Sequence, residues 1–166
     1  HPYITVGMIE LVRKLNIKNY DGVLIGCVGS HEAEYSLKEI LNIPVIGVGE
    51  ACFNLSCLLG RSFSIITYNK KVQAWLKRSI DEYRVKDWCT SIRPVGMELI
   101  DALKLSPEEI GEKFLVQAKA AVDEDEAEVV ILGSAGFVGL ADYLRESLKN
   151  IPIIDPVEAG VKYIEM

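Results

Sequence analysis

Residues 21–52 read DGVLIGCVGSHEAEYSLKEILNIPVIGVGEAC, and residues 127–160 read AEVVILGSAGFVGLADYLRESLKNIPIIDPVEAG. The two stretches follow one plan. An apolar run enters a glycine, then a residue with a nucleophilic side chain, a small residue and a second glycine. These are Gly26, Cys27, Val28 and Gly29 in the first stretch, and Gly133, Ser134, Ala135 and Gly136 in the second. Each then continues through a helical pattern to Asn-Ile-Pro, a short apolar run and Glu-Ala, at Glu50-Ala51 and Glu158-Ala159. Cys27 and Ser134 lie 107 positions apart and the two prolines 108, which describes an internal duplication with one inserted residue. Two like units facing each other place Cys27 and Ser134 on opposite sides of one cleft.

The alternation extends beyond the duplicated stretches. Short Val/Ile-rich runs bounded by Gly, Pro or charge predict strands at 23–27, 44–48, 62–67, 128–133 and 151–154. Helical periodicity covers 4–15, 31–41, 50–59, 70–83, 106–122, 137–149 and 156–165, and Ser106-Pro107-Glu108-Glu109 carries an N-cap, a first-turn proline and first-turn acids. Strands this apolar are buried on both faces, so parallel sheets wrapped by helices are expected. The expected fold is α/β with two pseudo-symmetric lobes, one from residues 1–61 with 156–166 and the other from 62–155. SFSIIT at 62–67 opens the second unit, and its counterpart 107 positions earlier falls before His1. The repeat therefore predicts a preceding segment that carries the first strand of the first lobe. The acidic run Asp123, Glu124, Asp125, Glu126, Glu128 reads as a solvated loop rather than a metal cluster. Cys89 falls in a polar connection beside Trp88.

Composition narrows the function classes. A chain of 166 residues that is 49% hydrophobic can bury a core. No apolar run reaches the roughly 20 residues that span a bilayer, and the opening HPYITVGMIELVRKLN is broken by charges, unlike a signal peptide. The formal charge of -6 argues against nucleic acid. The expectation is a soluble cytoplasmic protein with a small-molecule substrate and neither nucleic-acid nor membrane partner. Cys27, Cys52, Cys57 and Cys89 form no C-x-x-C pair and no zinc spacing, so free thiols and no metal are expected. Cys52 and Cys57 share a helix with Phe53, Leu55 and Leu58, as core or interface thiols do.

Ligands of doubly wound sheets bind beyond the carboxyl ends of the strands, where both copies carry their reactive residue. Ser30 can cap a helix beginning near His31, and that helix terminus with nearby N–H groups favours a Cys27 thiolate. Cys27 is the candidate base or nucleophile. Val28, Gly29, Ser30, Ala135 and Gly136 are candidate substrate contacts through backbone N–H groups. Thr67 and Tyr68 follow the strand SIIT and either touch substrate or form a helix cap and a surface aromatic. His31 either supports the thiolate or sits exposed in a first turn. Glu50 and Glu158 either contact ligand or serve as first-turn carboxylates.

DGVLIGCVGS, NIPVIGVGEA, SIITY, VVILGSAGFVGLAD and IPIIDPVEAGVK, in this order from about Asp21 to Lys162, resemble the Asp/Glu/hydantoin racemase family, most closely its hydantoin and allantoin racemase branch. The resemblance implies a cofactor-independent racemase of two pseudo-symmetric lobes, assembled as a homo-oligomer, with the active site between the lobes. It also implies two cysteines flanking the substrate stereocentre, one from each lobe, of which Cys27 is the first. At the second position, where the family carries Cys in a GCAG-type turn, this chain has Ser134 in GSAG. Thr67 matches the family's Thr-Thr turn and Tyr68 departs from it, while Ser30 stands where hydantoin relatives often show Asp.

The chemistry has its own logic. Inverting a carbon acid needs a base on one face and an acid on the other, and substrate carbonyls with N–H donors stabilise the carbanion without metal or pyridoxal. Serine is a weak acid and a poor base without a helper. Ser134 therefore either disables one half of the pair or belongs to a slow, one-sided or altered enzyme. The expected substrate is a 5-monosubstituted hydantoin, then allantoin, then an acidic amino acid. A single-thiol malonate decarboxylase, a maleate isomerase and a non-catalytic small-acid binder with an inert Cys27 are the alternatives.

Overall fold

The computed structural model describes residues 2–102, 104–137 and 139–166. In chain order the elements are α1 (Pro2–Lys14), β1 (Val23–Ile25), α2 (Glu32–Ile40), β2 (Val45–Gly47), α3 (Val48–Leu59), β3 (Phe63–Thr67), α4 (Lys70–Glu82), β4 (Cys89–Pro94), α5 (Leu99–Ala102), α6 (Pro107–Asp123), β5 (Val129–Leu132), α7 (Leu140–Ser147), β6 (Ile153–Ile154) and α8 (Pro156–Ile164). β1 and β2 pair in parallel as a two-stranded sheet, and a second parallel sheet has the order β4-β3-β5-β6. β3 and β5 are central in that sheet and every residue of both is buried. Their unbroken apolar character follows from helices covering both faces.

The duplication is visible in three dimensions. The unit β1-α2-β2-α3 is repeated as β5-α7-β6-α8. α3 and α8 pack against each other, α3 also reaches β5, and α8 reaches β1 and β2. Gly49 in the first turn of α3 lies so close to the Val28 carbonyl that a Cβ there would collide with it. The largest buried cluster consequently draws on both units: Val28, Val48, Cys52 and Phe53 pack with Phe63, Ile65, Leu76 and Ile131. Phe53 stacks on Phe63 with ring centroids 5.9 Å apart.

Several expectations need correction. Cys89–Pro94 is a strand, not a connection. As an edge strand it buries fully only Ile92, and its polar residues bond to β3: Ser64 and Ser91 hydroxyls lie 2.6 Å apart, and Thr90 Oγ1 donates to the Phe63 carbonyl. The acidic run is exposed except at the half-buried Asp125, as expected of a loop before β5, but it also makes ion pairs and a backbone hydrogen bond. Asp123 ends α6, the Arg93 guanidinium donates to Asp125 at 2.8 Å and to Glu124 at 2.7 Å, and Glu128 accepts the Arg61 N–H at 2.8 Å. α7 starts at Leu140 rather than 137, because Gly139 turns the chain with a φ of 79°; position 138 of that expected helix lies outside the described residues. Ser106 caps α6 as read, and the cap closes into a capping box in which Glu109 accepts the Ser106 N–H.

Candidate active site

The two glycine turns meet. A cavity of about 330 Å³ has Gly26 to Gly29 on one side and Gly133 to Gly136 on the other, and Tyr68, Val72 and Trp75 complete its lining. Cys27 and Ser134 thus line one space from opposite halves of the repeat. Each turn handles its reactive atom alike. The Gly29 N–H donates to the Cys27 sulfur, and the Gly136 N–H donates to Ser134 Oγ at 3.2 Å. A donor two residues on stabilises negative charge on either atom.

The thiol is nevertheless not poised as a thiolate. Burial pushes the Cys27 pKa up, the Gly29 N–H opposes this, and the Glu34 carboxylate pushes it up further. α2 begins only at Glu32, five positions after Cys27, too far for its terminus to outweigh desolvation. The expected depression of the thiol pKa is therefore overturned. Cys52, wholly enclosed, is raised further by burial, and burial pushes Cys89 up to about 12.

The other candidate residues separate into those on the cavity wall and those beside it. Val28, Gly29, Ala135 and Gly136 line it with their turns, and Tyr68 faces it. Burial raises the Tyr68 pKa, with the Cys27 charge next in effect, so its phenol keeps its proton. Thr67 is not on the wall. It is 0% exposed beneath Gly133, and its Oγ1 is the single buried side-chain oxygen or nitrogen without a hydrogen-bond partner among the described residues. Ser30 does not cap α2; His31 does, its Nδ1 accepting the Ala33 N–H at 3.1 Å. The Ser30 N–H and hydroxyl both reach Ser79 Oγ, at 2.9 and 3.2 Å, so Ser30 ties its loop to α4.

Glu50 and Glu158 are structural. Lys38 bridges Glu50 at 2.9 Å, and Arg145, 107 positions beyond Lys38, bridges Glu158 at 2.8 Å. Sequence reading missed Glu34 and Trp75. Glu34 is 1% exposed, and accepts from Lys38 at 3.0 Å and from the Tyr83 hydroxyl at 2.8 Å. Its position in a helical pattern disguised a buried carboxylate that joins α2 to Tyr83. Trp75 packs over Gly29, which is why that position has no room for a Cβ. No cluster of three or more His, Cys, Asp or Glu side chains suited to a metal occurs among the described residues, and no helix there is long and apolar enough to cross a membrane. A larger apolar groove of about 800 Å³ adjoins the site at Gly136 but contains neither Cys27 nor Ser134.

The fold is a duplicated α/β one, with parallel sheets flanked by helices, and it sets a thiol and a hydroxyl on the wall of one cavity. Residues 2–164 match the family model described as Asp/Glu/Hydantoin racemase, and the chain belongs to that family. It is 32% identical to a hydantoin racemase of Pseudomonas sp. (strain NS671), over 98% of this chain and 65% of that protein. It is also 32% identical to a hydantoin racemase of Paenarthrobacter aurescens, over 97% of this chain and 67% of that one. The crystal structure of an allantoin racemase from Pseudomonas fluorescens superposes with a TM-score of 0.87 at 26% identity, covering 97% of this chain and 67% of that one. The chain spans about two thirds of the length of these relatives.

Proposed function

We propose that the protein is a cofactor-independent racemase of 5-monosubstituted hydantoins. The observation that carries this reading is the pairing of Cys27 and Ser134 across one cavity, each with the N–H of the residue two positions on aimed at its reactive atom. The family membership and the hydantoin racemase relatives support the substrate class.

Cys27, once ionised, removes the C5 proton from one face. The electron pair passes into the ring carbonyls, where the backbone amides of the glycine turns stabilise it. The proton, now on sulfur, can return to the same face, which exchanges hydrogen without inverting the carbon. Inversion requires delivery from the Ser134 side, and a serine that gives up its proton must regain one from water. A hydroxyl does this poorly. The reading therefore separates two rates that a pair of thiols would keep equal.

The test follows a single enantiomer in D2O, reading deuterium entry at C5 by mass spectrometry and inversion by chiral chromatography. For the enantiomer whose C–H faces Cys27, exchange outruns inversion. Ser134→Cys raises inversion by about 10²-fold, in the range of general acid–base contributions, and Cys27→Ala abolishes exchange. Equal racemisation by Ser134 and Ser134→Cys proteins on both enantiomers defeats the paired mechanism. Loss of CO2 from a disubstituted malonate without exchange on any hydantoin points to a decarboxylase. Allantoin, a hydantoin with a polar substituent, is the second substrate to assay, given the 0.87 TM-score to an allantoin racemase.

A further inference from the structure

Trp75 stands on α4 between two spaces. One is the cavity of Cys27 and Ser134; the other is a crevice of about 600 Å³ bounded by Ser30, His31, Tyr35, Arg78 and Glu82 among others. Trp75 lines both, and among the described residues no other side chain does. The indole is braced in this position. It lies against Gly29, where an added Cβ would come within 2.6 Å of the ring. One turn later Ser79 Oγ accepts the Ser30 N–H at 2.9 Å and donates to the Trp75 carbonyl at 3.2 Å, which fixes this face of α4 on the Cys27 loop.

The wall so formed is asymmetric. The glycine turns face each other as pseudo-symmetric halves, whereas Tyr68, Val72 and Trp75 all come from the end of β3 and from α4. A hydantoin whose C5 lies between Cys27 and Ser134 sets its ring carbonyls and ring N–H groups against the polar backbone of the turns. Its substituent then points to the remaining side, which is aromatic and aliphatic and ends at the indole. A cavity of about 330 Å³ is at the small end of the range for ligand sites, and a rigid indole cannot yield as a Met would.

We propose that Trp75 is the specificity-determining partition that limits the C5 substituent to a short hydrocarbon group. This rests on the hydantoin racemase reading. Removing the indole joins the cavity to the crevice behind it, so a larger substituent gains a place without any change at Cys27 or Ser134.

The experiment measures kcat/KM for C5 deuterium exchange and, in parallel, calorimetric binding over 5-methyl-, 5-isobutyl-, 5-benzyl- and 5-(indolylmethyl)hydantoin, using the full-length protein. With Trp75 present, kcat/KM and affinity fall by about tenfold or more between the isobutyl and indolylmethyl members, the scale on which a shaped pocket discriminates size. Trp75→Ala removes or reverses that order, and Trp75→Phe largely keeps it. If Trp75→Ala loses its cooperative thermal transition, Trp75→Leu is held to the same ranking. An unchanged ranking in the folded variant overturns the proposal, as does a wild-type protein indifferent to substituent size; the latter would send the substituent to the groove beyond Gly136. Exchange on all four with no effect of Trp75 leaves the racemase reading standing and this one refuted. Binding ranked as proposed without exchange refutes the racemase reading alone, and absence of binding refutes both.

Discussion

Cys27 is governed by three opposing influences: enclosure that favours the thiol, the Gly29 N–H that favours the thiolate, and the Glu34 carboxylate that again favours the thiol. Enclosure dominates, so the sulfur titrates above the free value of about 8.5. Glu34 keeps its own place through Lys38 and the Tyr83 hydroxyl, although burial raises its pKa too. Two results follow for site-resolved iodoacetamide labelling against pH, read by peptide mass spectrometry. The Cys27 midpoint lies above 8.5, with Cys52 silent below the unfolding transition. In Glu34→Gln, which keeps an acceptor for Tyr83 but removes the charge, the Cys27 midpoint moves down. A wild-type midpoint near neutrality would show that charge stabilisation beats burial after all. In the proposed mechanism only the thiolate abstracts a proton, so the exchange rate is expected to climb with pH along the same curve.

β4 shows how an element can be real and still illegible. Cys-Thr-Ser-Ile-Arg-Pro has neither the apolar run of a central strand nor clean alternation, because an edge strand needs only one well-covered side chain, here Ile92. Its far end is secured by Arg93, which reaches Asp125 and Glu124 after α6. The Arg93 guanidinium is the main influence holding the Asp125 carboxyl below its usual range. A lowered folded pKa adds stability above the unfolded value of about 3.9, and that stability is lost as pH falls through the folded value. Asp125→Asn therefore costs about 1 kcal/mol at pH 7 in urea titrations, discounted for partial exposure of the pair. The difference from wild type shrinks below about pH 4; a constant difference down to pH 2 would mean the charge is not what matters. By contrast β1, β2, β5 and β6 were legible, because the duplication reports each twice and buried parallel strands are apolar throughout. The facing of Cys27 and Ser134 was legible from the same repeat. What failed were properties set by distant packing: the burial of Thr67, the engagement of Ser30 with Ser79, and the pKa of Cys27.

The exchange of helices between the two halves decides how the protein behaves as a body. α3 follows the small sheet yet packs on β5 of the large one, and α8 follows the large sheet yet packs on β1 and β2. The main core therefore cannot be divided between lobes: Cys52 and Phe53 from α3 are buried with Phe63, Ile65 and Leu76. The Glu34–Tyr83 and Ser30–Ser79 hydrogen bonds join the halves again beside the site. Proteins built this way unfold as one unit, since opening either half strips the other of buried apolar surface. Phe53→Ala tests this directly. The ring is 1% exposed, stacked on Phe63 and tilted against Tyr83 at 5.5 Å, so its loss costs about 3–5 kcal/mol. Far-UV circular dichroism follows all helices, whereas tryptophan fluorescence follows Trp88, next to β4, and Trp75, whose indole on α4 lies against Gly29 of the other half. The two urea transitions coincide in wild type and move together in Phe53→Ala. A variant in which dichroism falls first while fluorescence keeps its wild-type midpoint would mean that the halves fold separately, and the cleft holding Cys27 opposite Ser134 would then depend on docking rather than on a shared core.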